Sequence, residues 1–187
     1  VQTAIDSLKN ANIDYAAFDQ VSVEPTDSSL KHAIKFAVEG RFDGFLAVGG
    51  GSSIDTAKAA NLYSSYPADF LEYVNAPIGK GTPVPGDLKP LVAVPTTSGT
   101  GSETTGVAIF DYEELGAKTG IAHRSLRPDV GLVDPKNTRS LPKMVAACSG
   151  FDVLCHGIES YTALPFTQRE APSNPALRPA YQGSNPI

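Results

Sequence analysis

Cysteine is scarce in this chain of 187 residues, which holds only Cys148 and Cys155. Two thiols cannot build a disulfide framework, and such sparing use suits a reducing compartment. Both lie in an apolar stretch and are expected to be small buried hydrophobes rather than reactive thiols. Clustered basic charge is missing as well. Lys and Arg number 15 against 20 Asp and Glu, for a formal net charge of −5. A surface that binds nucleic-acid phosphates needs grouped Lys and Arg, so nucleic acid is excluded as the main partner. No apolar run approaches the length of a membrane-spanning helix, and no membrane partner is expected. The first residues, Val1-Gln2-Thr3-Ala4-Ile5, contain neither Met nor a basic segment, so the chain reads as starting inside a longer one. Internal repeats and low-complexity tracts are absent.

What is present is ordinary for a globular protein: 41% hydrophobic and 19% charged residues. Val1, Ala4, Ile5, Leu8 and Ala11 recur at helical spacing, and Tyr15-Ala16-Ala17-Phe18 reads as a short strand. Pro25-Thr26-Asp27-Ser28-Ser29 is a turn and N-cap signal for a helix that ends at Gly40. Residues 44–48 read as a buried strand, followed by a helix over about residues 53–64. Residues 75–90 are rich in Pro and Gly and read as a loop before a second buried strand, Leu91-Val92-Ala93-Val94. Further strands are predicted near 107–110, 119–122 and 130–133. Residues 142–163 look helical, with a break expected at Gly150. The alternation predicts an α/β fold with a parallel sheet over residues 1–140, and the change of character marks the start of a helical domain over residues 141–187.

Two loops carry chemistry. Gly49-Gly50-Gly51-Ser52 lies between a buried strand and a helix. Glycine lets the backbone turn sharply and approach a ligand, and a helix N-terminus offers unpaired N–H groups to a phosphate. The motif is neither GxGxxG nor a P-loop, and alone it is equally well a ligand-free turn. Asp55 and Lys58 follow on the same helix, and Asp55 would lie at the sheet rim where α/β proteins bind ligands. The second loop is denser: residues 96–102 of Pro95-Thr96-Thr97-Ser98-Gly99-Thr100-Gly101-Ser102-Glu103 are all Thr, Ser or Gly. Small hydroxyls and free N–H groups suit phosphate, ribose or carboxamide. Two such loops after two core strands are expected to converge on one sheet edge.

A third feature is Asp152 with His156, four apart and so on one face of a helix. Carboxylate plus imidazole suits Fe²⁺ or Zn²⁺, although two ligands do not complete a site. The apolar neighbours Phe151, Val153, Leu154 and Ile158 suggest a helix buried near a cleft.

These three segments, in this order, resemble the iron-containing alcohol dehydrogenase family, and the similarity covers essentially the whole chain. The resemblance implies a dinucleotide-binding α/β domain followed by an all-helical metal-binding domain. It further implies that Gly49, Gly50, Gly51 and Ser52 hold the pyrophosphate of NAD(H). Thr96, Thr97 and Thr100 would line the nicotinamide end, and Lys118 would approach the nicotinamide ribose. Asp152 and His156 would bind a divalent metal, Fe²⁺ first and Zn²⁺ as the alternative. Asp55 and His156 would lie at the reacting centre. Residues 23–29, 106–112 and 178–187 are similar to one mitochondrial branch that moves hydride between a hydroxyacid, such as 4-hydroxybutyrate, and an oxoacid, such as 2-oxoglutarate. A homo-oligomer is left open. The chain departs from the family pattern in three places. The family's first strand would precede Val1, two further histidine ligands would follow Ile187, and Glu24 stands where many members have Asn. Two rival readings remain: an ordinary NAD-dependent alcohol dehydrogenase, and an inactive, poorly stable fragment with half a metal shell.

Overall fold

The structure is a computed structural model that describes residues 1–165 together with residues 168, 170, 171 and 173. It opens with α1 (Gln2–Asn10) and α2 (Asp27–Gly40). Then come β1 (Phe45–Gly49), α3 (Gly51–Ser65), β2 (Leu91–Pro95), the hairpin β3 (Val107–Tyr112) and β4 (Ala117–Ala122), the short β5 (Val130–Gly131), and α4 (Lys143–Thr162).

The expected N-cap signal works through Thr26. Its hydroxyl accepts from the Ser29 N–H at 3.2 Å while its own N–H donates to Ser29 Oγ at 2.9 Å. That reciprocal pair satisfies donors the first helical turn would otherwise leave unpaired. Asp27 follows as a buried residue in the first turn, where a carboxylate also complements the helix dipole. Its oxygens take the Lys31 ammonium at 2.6 Å and the Glu113 N–H at 3.1 Å, tying α2 to the β3–β4 turn. Burial pushes the Asp27 carboxyl up, but Lys31 and the Glu113 amide outweigh it and hold it below the usual 3.8. A depressed carboxyl contributes stability above its unfolded pKa and loses it as pH falls through the folded value. Urea denaturation of the wild type is therefore expected to lose more stability between pH 6 and about pH 3 than that of Asp27→Asn. Equal losses would show that Asp27 is not linked to folding.

The parallel sheet has the order β1-β2-β5. Phe45 pairs with Leu91 and the register runs on to Gly49 opposite Pro95. β1, α3 and β2 thus form a βαβ unit, with both strands ending at the same edge. β3 and β4 make a separate antiparallel pair, Val107 opposite Ala122 and Tyr112 opposite Ala117. α3 lies between these layers and is buried along its length, including Ile54, Ala59, Leu62 and Tyr63. It enters all three apolar clusters: Ile54 with Ala47 and Ala93, Ala60 with Ala33 and Ala37, and Leu62 with Val74, Phe110 and Leu126. A helix covered on most sides must also bury polar side chains, and Asp55, Lys58 and Asn61 are buried with hydrogen-bond partners on neighbouring segments.

Four expectations need correction. Residues 15–18 form no ladder, because a strand exists only through a pairing partner and none of the described strands lies against them. β5 is shorter than predicted, although the Leu132 N–H still reaches the Ala93 carbonyl at 2.8 Å. Gly150 does not interrupt α4, since helical hydrogen bonding tolerates one glycine at a modest entropic cost. Lastly, α4 has no buried residue: Phe151, Val153, Leu154 and Ile158 are exposed, and so are Cys148 and Cys155. Among the described residues too little packs on α4 to cover its apolar side chains. No described helix is long and apolar enough to cross a membrane.

Candidate active site

The sheet register decides where the two predicted loops go. Because Gly49 and Pro95 are paired at the ends of β1 and β2, the chain leaves the sheet twice at neighbouring points. The Thr96 N–H donates to the Gly49 carbonyl at 2.9 Å and extends the pairing by one step. Beyond it the loops touch. A Cβ on Gly50 would meet Thr97 Cγ2 at 3.3 Å, and one on Gly51 would meet Thr100 Cγ2 at 2.9 Å and Ser102 Oγ at 3.2 Å. The glycines therefore let the second loop close down on the first.

This mouth is rich in free donors. Gly50 caps α3 without a side-chain hydrogen bond. Among the described residues, no hydrogen bond engages the N–H groups of Gly51, Ser52, Thr97, Ser98, Gly99 or Thr100. Unpaired amides at a helix N-terminus, faced by a second run of amides and hydroxyls, make an anion cradle. The residues present thus fit a pyrophosphate.

Lys118 lies on β4, half exposed, 3.7 Å from Asp111 and 3.9 Å from Glu24. Glu24 in turn donates its N–H to Ser52 Oγ at 3.2 Å, with its backbone in the left-handed region at φ 52°. One residue therefore separates Lys118 from the first loop.

Asp55 behaves differently from the other predicted residues. It points inward, where its Oδ2 accepts from the Ile109 N–H at 3.0 Å and its Oδ1 lies 3.5 Å from the Lys58 ammonium. Lys58 is fully buried and donates to the Val107 carbonyl at 2.7 Å and to Thr105 Oγ1 at 3.3 Å. Burial pushes the Asp55 carboxyl up and the Lys58 ammonium down, and each partner opposes the shift of the other. Asp55 Oδ1 is buried and makes no hydrogen bond among the described residues.

Asp152 and His156 are brought together as the spacing required, with Oδ1 3.8 Å from Nε2 and both side chains about half exposed. Their helix meets the second loop: a Cβ on Gly99 would stand 3.0 Å from the Ser149 carbonyl. Ser149, Asp152 and His156 follow at i, i+3 and i+7, one face of α4. No group of three metal-binding side chains occurs among the described residues. The pair fits as two ligands of a larger set. Sequence reasoning passed over Ser102 and Thr105. Ser102 stood inside the quoted motif, and no pattern marked Thr105.

Comparison with known proteins gives the family. Residues 1–135 match iron-containing alcohol dehydrogenase, and the chain belongs to that family. Its relatives include the mitochondrial hydroxyacid-oxoacid transhydrogenase of Bos taurus. Identity there is 67% over 189 residues, taking in 100% of this chain and 41% of that protein. The chain therefore spans about two fifths of the length of such relatives, 41% in Bos taurus and 40% in Homo sapiens. Among solved structures, an iron-containing alcohol dehydrogenase from Thermococcus thioreducens superposes with a TM-score of 0.79 at 36% identity, covering 87% of this chain and 43% of that one. Sulfoacetaldehyde reductase from Bifidobacterium kashiwanohense, solved in complex with NAD+, gives a TM-score of 0.72 at 29% identity, covering 87% and 44%. These matches agree with the expected α/β dinucleotide-binding fold.

Proposed function

We propose that this chain carries the nucleotide-binding part, and the beginning of the metal-binding part, of a mitochondrial hydroxyacid-oxoacid transhydrogenase. The single observation behind the reading is the convergence of the loops, Gly50 against Thr97 and Gly51 against Thr100, with the Asp152–His156 face of α4 one turn away. Resemblance along the full chain to transhydrogenases supports the substrate class. In this reading the domain boundary lies between residues 140 and 141.

In this reading Gly51 and Ser52 present their amides to the pyrophosphate, and Thr96, Thr97 and Thr100 flank the nicotinamide end. Lys118 approaches a ribose once it leaves Glu24 and Asp111. Asp152 and His156 supply one oxygen and one nitrogen ligand to a divalent metal, Fe²⁺ or Zn²⁺. When bound, the nicotinamide would take hydride from, or give it to, the substrate's carbinol or carbonyl carbon, and the metal would polarise that carbon's C–O bond. The protein's contribution is to hold these partners within reach of one another. Asp55 stays beneath the site, paired with Lys58 and the Ile109 N–H.

The purified, metal-loaded enzyme, given 4-hydroxybutyrate and 2-oxoglutarate without added NAD⁺, is expected to form succinate semialdehyde and 2-hydroxyglutarate in equal amounts. Turnover that requires added NAD⁺ and releases NADH without any oxoacid would instead establish an ordinary alcohol dehydrogenase.

A further inference from the structure

The Asp55–Lys58 pair is poorly explained as a source of stability. A buried ion pair gains little over well-packed apolar residues, because desolvation offsets the attraction. This pair also leaves Asp55 Oδ1 without a hydrogen bond. Its contact with the Lys58 ammonium is long, 3.5 Å, so the pair holds its place loosely on the Asp55 side. The position of Lys58 suggests a role other than stability. Lys58 comes from α3, the helix whose first turn is the glycine loop, and is fully buried. Its ammonium reaches across to Thr105 and Val107, where the second loop ends and β3 begins. Asp55 adds a second tie to the same strand through the Ile109 N–H. The first loop and the far end of the second are thus fixed to one buried cation.

We propose that Lys58 is a positioning residue for the dinucleotide site, and that its bond to Thr105 sets the distance at which the second loop stands over the first. The inference rests on the dinucleotide reading above. A nucleotide held by amides from two loops needs both at one separation, so a loss of registry weakens binding without unfolding the protein.

Thr105 gives a clean test because it is only half-buried and Val has the same shape. Thr105→Val is expected to raise the Kd for NADH, read by nucleotide fluorescence, about three- to tenfold, with the thermal midpoint nearly unchanged. Thr105→Ser restores the hydroxyl and should restore the affinity. Lys58→Met leaves Asp55 buried without its counter-charge and should lower the thermal midpoint, so it serves as a control for the structural contribution. If Thr105→Val keeps wild-type affinity, or lowers the midpoint while Kd stays constant, the positioning role is wrong. If the wild type itself binds no NADH, the dinucleotide reading fails and takes this inference with it.

Discussion

Gly51→Val is expected to abolish useful nucleotide binding, weakening the Kd for NADH by roughly a hundredfold. The reason is steric. Even one added carbon at this position would lie 2.9 Å from Thr100 Cγ2 and 3.0 Å from its Oγ1, and valine adds two more. Threonine is short and β-branched, so it has little freedom to move aside. Relief comes from parting the loops, and overpacking of this kind typically costs about 1–3 kcal/mol before any lost ligand contact is counted. Because the loops lie at the sheet edge, circular dichroism should change little, while the thermal midpoint should fall by about 2–12 °C. Fluorescence titration with NADH checks the prediction. Wild-type affinity in Gly51→Val would remove the first loop from the binding site. Gly50→Val should follow in the same direction with a smaller effect, since its nearest approach is 3.3 Å.

His156→Ala should lose bound metal by more than about a hundredfold, because residues one shell further out already cost about 10–100-fold when removed. Asp152→Ala should do the same. Neither substitution should disturb folding, as both side chains are about half exposed on a helix with no buried residue. Metal content by atomic emission after dialysis decides the matter, and undiminished iron or zinc in His156→Ala would end the ligand assignment.

Much of the candidate site's geometry is legible in the sequence because its signals are local. Gly49-Gly50-Gly51-Ser52 and the hydroxyl-rich run after β2 each follow a buried strand, and parallel pairing then brings them together. The four-residue spacing of Asp152 and His156 likewise needs only helical geometry. Long-range partnership was harder to read. Nothing near Asp55 reveals that its carboxylate turns inward to Ile109, 54 residues away, or that Lys58 reaches Val107 across the layer. The apolar residues of α4 depart from expectation for a related reason. Periodicity says that a face is apolar, not that anything covers it, and Phe151 and Leu154 lie open along with the two cysteines. The side chains of residues 15–18 suit a strand, yet a strand is a property of two segments. The stretch 178–187, which carried part of the resemblance, falls outside the described residues.

The placement of α3 in all three apolar clusters has a consequence for how the molecule comes apart. No layer can detach from it without stripping the others, so the βαβ unit, α2 and the hairpin share one cooperative unfolding step. α4, with no buried residue among those described, is expected to open at lower free energy than that unit in this 187-residue chain. Its amides should exchange with solvent long before those of β2. The loops proposed to hold the phosphates would then sit on the slow-exchanging part of the chain, and the Asp152–His156 pair on the fast-exchanging part.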